Sequence, residues 1–357
     1  MNKLWLAFVL FFVAIALADD FEIVRDPQTL SFPKDHGSHP QYRTEWWYFT
    51  GHLSGHRQTD KLTRKFGFEL TFFRVGLKQA PSQIIEESNW RTSNIFLAHF
   101  AISDDYNQTF HFSERKSRES FALAGADISN LKVWIRDWKA ELNKDDINLI
   151  ATAPQFSMDL NFKSSKPPIL NGKNGYSKKG PGLEEASMYS SLTRLIGNGK
   201  IKIEEQEFKI DSAQAWMDHE AFTSKDPKGG KRWNWFAIQL DSNQEIMAYL
   251  LLDEAGVPTE FSSGTFVDKE GNYFPLKQED FNIQEISKWK SPKTGIEYPS
   301  GWKLSIKDRG ISLQIIPSFK DQEIKSEETT GVTYWEGRCL VSGSETGSAY
   351  VELVGYD

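Results

Sequence analysis

Cysteine is nearly absent. Cys339 is the single one in 357 residues, so no intrachain disulfide can form and the fold must rest on its core. It stands in the apolar stretch Cys339-Leu340-Val341, which reads as a buried, inert thiol rather than a nucleophile. Excess basic charge is missing too: 42 Lys and Arg face 49 Asp and Glu, a net charge of −7. Such a chain lacks the long-range field that concentrates nucleic acid, and no basic cluster appears locally. There is no Gly-x-Ser-x-Gly elbow, no Walker loop and no dinucleotide fingerprint, so covalent serine hydrolysis and nucleotide-dependent catalysis lack support. His36, His39, His52 and His56 lie close together, but Gly51 and Gly55 argue against the helix that would align the last pair on zinc. No metal and no cofactor is expected. Long helical periodicity is absent as well.

What is present begins with Met1-Asn2-Lys3, an apolar run over 4–17, and Ala16-Leu17-Ala18 followed by two aspartates. One positive charge, a short apolar stretch and a small-x-small site make a secretory signal peptide over 1–18, hence a periplasmic or secreted protein. The run is shorter than the ~20 residues that span a bilayer, and nothing later resembles a transmembrane helix. Aromatic residues reach 13% of the chain, with 12 Trp. Rings in that number fill cores and also suit a cavity with apolar walls and polar edges.

Period-two alternation recurs. In 66–72, Phe66, Phe68, Leu70 and Phe72 share one face while Gly67, Glu69 and Thr71 share the other, the pattern of a half-buried strand. Comparable segments are 46–53, 95–102, 132–138, 156–162, 200–203, 215–222, 233–240, 245–252, 302–306, 311–316 and 349–356. Many short strands separated by Gly, Asn, Asp and Pro predict antiparallel barrels or sandwiches. Gly197-Asn198-Gly199 reads as a hairpin turn. A weak echo aligns Trp46, Phe49 and Leu53 with Trp233, Phe236 and Leu240, as two barrels of similar build would produce. Residues 224–231 have linker composition. The expected organisation is a signal peptide over 1–18, an N-terminal domain over 19–223 and a C-terminal domain over 224–357.

Several stretches together resemble the AttH and carotenoid 1,2-hydratase family of lipocalin-like proteins. They are Glu45-Trp46-Trp47-Tyr48-Phe49-Thr50-Gly51-His52-Leu53, 66–74, Leu97-Ala98-His99-Phe100-Ala101 and Gly175-Tyr176-Ser177-Lys178-Lys179-Gly180. Further along come 188–195, Ala215-Trp216-Met217-Asp218-His219-Glu220, Tyr334-Trp335-Glu336-Gly337 and 350–356. The resemblance covers nearly the whole chain after the leader. It implies an all-β fold of two lipocalin-like antiparallel barrels packed together, with little helix. It also implies a hydrophobic ligand, export, and association with an envelope ABC transporter. Some members hydrate an isoprenoid double bond, and distant relatives close rings. The chain departs from the hydratases, which carry an aromatic where Ala221 stands and an acid shortly after the tyrosine matching Tyr249, where Leu250-Leu251-Leu252 stands here.

The segment 216–220 holds the most chemistry. Hydrating an alkene needs a proton donor, a site tolerating a carbocation, and a base for water. Asp218 among rings suits the donor, Trp216 and Tyr249 the cation, and His219 a donor or base. On a regular strand Asp218 shares a face with Trp216 and Glu220, while His219 points the other way. The bland alternative is that Asp218 and His219 pin the junction between barrels. Trp46, Trp47, Trp216 and Trp235 are candidate cavity rings. Arg74, Arg194 and His99 are candidate ligand contacts, although a lone His on an apolar strand is ordinarily a hydrogen-bonded core residue. Glu69 is expected opposite Arg74 or Arg194 as an ion pair. Glu336, Tyr350, Glu352 and Tyr356 read as a structural polar cluster in the second barrel.

The function expected is an exported lipocalin-like binder of a lipid or isoprenoid, held in an aromatic cavity near the barrel junction. The rivals are a hydro-lyase or cyclase using Asp218, and a non-catalytic envelope scaffold with filled barrels. No nucleic acid and no integral membrane segment after cleavage are expected.

Overall fold

The structure, a computed structural model, describes residues 21–60, 62–77, 92–223 and 232–357. The leader at 1–18 and the linker at 224–231 lie outside the described residues. Strands dominate, and the helical turns among the described residues are short 3-10 segments such as Lys34–His36. No helix among the described residues is long and apolar enough to cross a membrane.

Alternation of polar and apolar residues is what builds the two large antiparallel sheets. The first, of thirteen strands, runs in the order Thr109–Arg118, Asn94–Asp104, Arg64–Gly76, Thr44–His56, Gln206–Phe222, Ala186–Ile203 and Phe156–Ser164, then through shorter strands to Ala124–Ala126. The second, of ten strands, runs Tyr273–Lys277, Ser263–Val267, Glu245–Leu252, Arg232–Leu240, Gly347–Val354 and Thr333–Gly343, then on to Asn282–Glu285. In both, the opening strand pairs with the second strand on one side and with the last long strand on the other. The strands carrying the Trp-Phe-Leu echo therefore hold equivalent central places. Arg115 draws the edges of the first sheet together: its guanidinium sits 4.4 Å over the Trp138 ring and donates to the Thr152 carbonyl at 2.7 Å. That sheet is a nearly closed barrel, and the second curls as a half barrel.

One face of each strand fills an interior. Trp47, Phe49, Phe66, Phe68, Leu70 and Phe72 belong to the first core, and Phe236, Ile238, Ile246, Trp302 and Trp335 to the second. Burying such side chains stabilises the fold by roughly 25 cal/mol per Å² of apolar surface. Cys339 is buried in the second core, where burial pushes its thiol far above its ordinary range. The opposite faces of the two opening strands meet each other, forming a seam between the sheets.

Two local expectations need correction. Segment 132–138 is two strands, Lys132–Ile135 and Trp138–Asn143, folded back at Arg136, whose φ is 56°. Gly197-Asn198-Gly199 is no turn but lies inside the strand Ala186–Ile203, where the pairing register shifts. A Cβ at Gly197 would stand 2.1 Å from the Asn161 carbonyl, and Gly199 has φ of +150°. Glycines there permit a bulge that bends a long strand around the barrel, and the chain reverses later, beside Glu204.

Candidate functional site in the seam between the sheets

Even-numbered positions of Thr44–His56 look away from the first core. Trp46, Tyr48, Thr50 and His52 lie on that face, beside Glu220, Asp218, Trp216 and Gln214 of the neighbouring strand and Phe73, Thr71, Glu69 and Gly67 on the other side. The second sheet answers with Trp233, Trp235, Ala237 and Gln239, flanked by Tyr249 and by Glu352 and Tyr350. Tyr48, Tyr189, Trp216, Trp235, Tyr249 and Tyr350 join in one buried cluster, with Trp46 and Trp233 at its margin.

Asp218 stands at the centre of one half of this seam. Tyr189 donates its hydroxyl to one carboxylate oxygen, and Ser191 and the Trp216 indole, at 2.6 Å, donate to the other. Trp235 crosses from the second sheet and donates to the Tyr189 oxygen at 3.1 Å. Burial pushes the Asp218 carboxyl up to about 6, with Glu220 adding to the rise while the three hydrogen bonds oppose it. Glu220 pairs with Lys179 at 3.0 Å, and the Lys179 ammonium lies 4.0 Å over the Tyr249 ring. The Tyr249 hydroxyl shares a hydrogen bond with Ser177 at 3.0 Å.

The other half holds three more carboxyls. Glu336 and Glu352 face each other on adjacent strands, the first buried and the second half-buried, and Tyr48 donates across the seam to Glu336. Glu352 accepts from the Trp233 indole at 3.2 Å, and Glu69 accepts from Thr71. Burial raises Glu352 to about 7 and Glu69 to about 8, and burial with the neighbouring Glu69 and Glu352 carries Glu336 well above the ordinary carboxylate range. Like charges across a β pair, taken out of water, leave protons shared among them.

The remaining candidates divide between the seam and other places. His219 points into the first barrel, stacked on Trp47 at 4.9 Å, with Nε2 2.9 Å from Glu45. Asp218 and His219 therefore do not meet. Glu45 also takes Ser38, His39 and Arg74, whose Nε lies 3.0 Å away. Burial opposes ionisation of Glu45, yet His219, His39 and Arg74 hold it well below the ordinary carboxylate range. Arg194 is consumed by Glu245 and by the Leu240 and Gln244 carbonyls, and Lys166 meets the same Glu245 at 2.7 Å. Both arginines thus serve as structural ties, and the expected pairing of either with Glu69 does not occur. His99 does reach the seam, bonded to the Tyr334 hydroxyl at 2.7 Å and to Thr329 at 2.8 Å. Burial lowers it to about 3, so it stays neutral.

His39, Glu45 and His219 bring three possible metal-ligand atoms within 4.8 Å of one another. The Arg74 guanidinium on the same carboxylate repels a dication, and both imidazoles already bond Glu45, while His219 Nδ1 is buried without a partner. The first core and the second are filled by side chains, so the tryptophans expected to line one cavity split between the first core (Trp47) and the seam (Trp46, Trp216 and Trp235). Two cavities of about 570 and 440 Å³ open elsewhere, lined by residues such as Glu22 and Tyr42, and Gln155 and Lys202.

Glu69, Glu336, Glu352, Tyr48 and Tyr189 were not among the candidate site residues read from the sequence. Their signal was present: Glu336 and Glu352 each interrupt an apolar strand, with Trp335 on one side and Val351 and Leu353 around the other. Alternation alone gives such residues a face without saying what that face meets.

Two curled antiparallel sheets packed outer face to outer face define a two-barrel lipocalin-like protein with an acidic, aromatic seam. The chain belongs to the AttH-like family, whose model matches residues 23–356. A putative AttH from Nitrosomonas europaea is similar, with 28% identity, a TM-score of 0.79, and 92% of this chain and 98% of that chain covered. Kievitone hydratase from Nectria haematococca shares the fold at 16% identity and a TM-score of 0.67, over 94% of this chain and 98% of that one. Comparison with curated proteins found no match.

Proposed function

We propose that this protein is exported and binds a hydrophobic small molecule, a lipid or isoprenoid, in the seam between its sheets. The observation supporting the reading is the seam's composition: indole and phenol rings from both sheets surround hydrogen-bonding groups that lack partners. Among these are Thr50 Oγ1, Glu69 Oε2 and the Tyr350 hydroxyl, each buried. Rings with a few convergent polar groups are the usual lining of a ligand site. Association with an envelope ABC transporter belongs to the same proposal and rests on the family resemblance.

Retinol is a suitable probe because its polyene accepts energy from nearby indoles. Titration should quench Trp fluorescence saturably, and Trp235→Leu should weaken binding about tenfold or more, as loss of a central anchor does. Absence of quenching, or quenching indifferent to that change in a variant melting like the wild type, would count against the seam and favour a scaffold.

A second reading is favoured by Asp218 itself. A carboxyl held near neutrality beside indole rings suits a general acid that protonates an isoprenoid double bond, the rings then steadying the cation. Kievitone hydratase, by its name a hydratase, shares the fold.

A further inference from the structure

We propose that the seam's second half is a cation site, so that the hydrophobic ligand carries an ammonium group. The inference rests on the seam reading above and specifies the chemistry of its polar end.

Glu69 and Glu336 are buried and Glu352 is half-buried, yet their hydrogen-bond partners are the neutral donors Thr71, Tyr48 and Trp233. The cations nearest this face already have acidic partners: Lys179 pairs with Glu220, and Arg338, the cross-strand neighbour of Tyr350, pairs with Asp105. Buried carboxyls ordinarily come with a counter-charge, because an unpaired one is expensive. Among the described residues none of the three makes an ion pair, and each instead holds a proton that a cationic guest would displace.

Beside the acids stand polar atoms that nothing satisfies. Glu69 Oε2, Thr50 Oγ1 and the Tyr350 hydroxyl are buried without a partner, and Thr50 and Glu69 are direct cross-strand neighbours. Tyr350 lies two residues before Glu352 on the same face of its strand, opposite Arg338, while Glu352 lies opposite Glu336. His52 Nδ1 is also unpartnered, and its ring meets the Tyr350 ring edge-on at 6.0 Å. An orphaned polar group is costly to bury, so several together mark a place completed by a guest.

The guest's size follows from spacing. Among the described residues, the group bringing three acid or imidazole ligand atoms within 4.8 Å is His39, Glu45 and His219, not these carboxyls. Acids spread more widely than one metal ion can bridge suit a bulkier organic cation. Tyr48 and Trp235, edge to face at 5.1 Å, along with Tyr334 and Tyr350, provide the ring surfaces that attract an ammonium. The apolar rings around Trp216 and Trp235 then take its tail.

Decyltrimethylammonium, decanol and decanoate share one tail and differ in head charge. Each is titrated below its micelle concentration into the full-length mature protein at pH 8, following Trp fluorescence. The ammonium should bind at least about tenfold more tightly than the alcohol, with decanoate weakest. Glu336→Gln with Glu352→Gln should erase that preference. Equal or tighter binding of decanol to the wild type overturns the cation site while leaving the hydrophobic seam intact. Failure of all three to bind overturns both, and because the comparison is made on wild-type protein, a variant that misfolds does not blunt it.

Discussion

Asp218 accepts hydrogen bonds from a phenol, an alcohol and an indole, and still sits near 6 because burial outweighs them. Its neutral form has a proton to give and its ionised form has three donors to hold it, which suits reversible proton transfer. Asp218→Asn preserves the shape and removes the proton. If the seam is catalytic, that variant should lose alkene hydration by a factor of at least about 10² while its melting temperature changes little, measured by product analysis beside a thermal melt. A large drop in melting temperature with no activity in either protein would mark Asp218 as a pin between the sheets. Glu69 teaches a different lesson at this scale. Its expected arginine partners are occupied by Glu45 and Glu245, and its proton stays on instead.

Among the elements, the strand Ala186–Ile203 carries the most unusual burden, pairing with Gln206–Phe222 on one side and Phe156–Ser164 on the other through two register shifts. Gly197 makes this possible, since any Cβ there collides with the Asn161 backbone. Gly197→Val should therefore force the strands apart and destabilise the protein by roughly 2 kcal/mol or more, read as a lower urea midpoint. An unchanged midpoint would show that the bulge absorbs the side chain. The same glycines explain why a hairpin was the natural local reading: a turn and a bulge both need residues that tolerate close approach and unusual φ, and composition does not separate them.

For the molecule as a whole, the seam couples stability to pH. Glu352 and Glu69 hold their protons more tightly folded than unfolded, from 4.5 to about 7 and about 8, and Glu336 lies well above its ordinary value. Such a contribution is complete below the unfolded value and is lost as pH rises through the folded one. Burial lowers His36, His52, His99, His111 and His219, so their unfolded forms still shed protons up to about pH 7.5 and oppose the trend until then. The melting temperature should accordingly fall between about pH 7.5 and 8.5, by an amount reflecting about 1 kcal/mol or more, and Glu69→Gln should flatten that slope. Differential scanning calorimetry across this window checks it, and a rise in stability within it would contradict ionisable acids in the seam.

Alternation along single strands was enough to say that this chain is all β, that Trp216, Asp218 and Glu220 share a face, and that His219 looks the other way, because side-chain direction in a strand repeats every two residues. It also let the opening strands of the two sheets be recognised as counterparts through Trp46 and Trp233. Which surface each face would meet was decided by tertiary packing alone. Tyr48 and Glu336 are 288 residues apart, and His99 and Tyr334 are 235 apart. Pairing across such distances depends on how two sheets curl and dock, which no local period encodes, and that docking gathered scattered acids and rings into one seam.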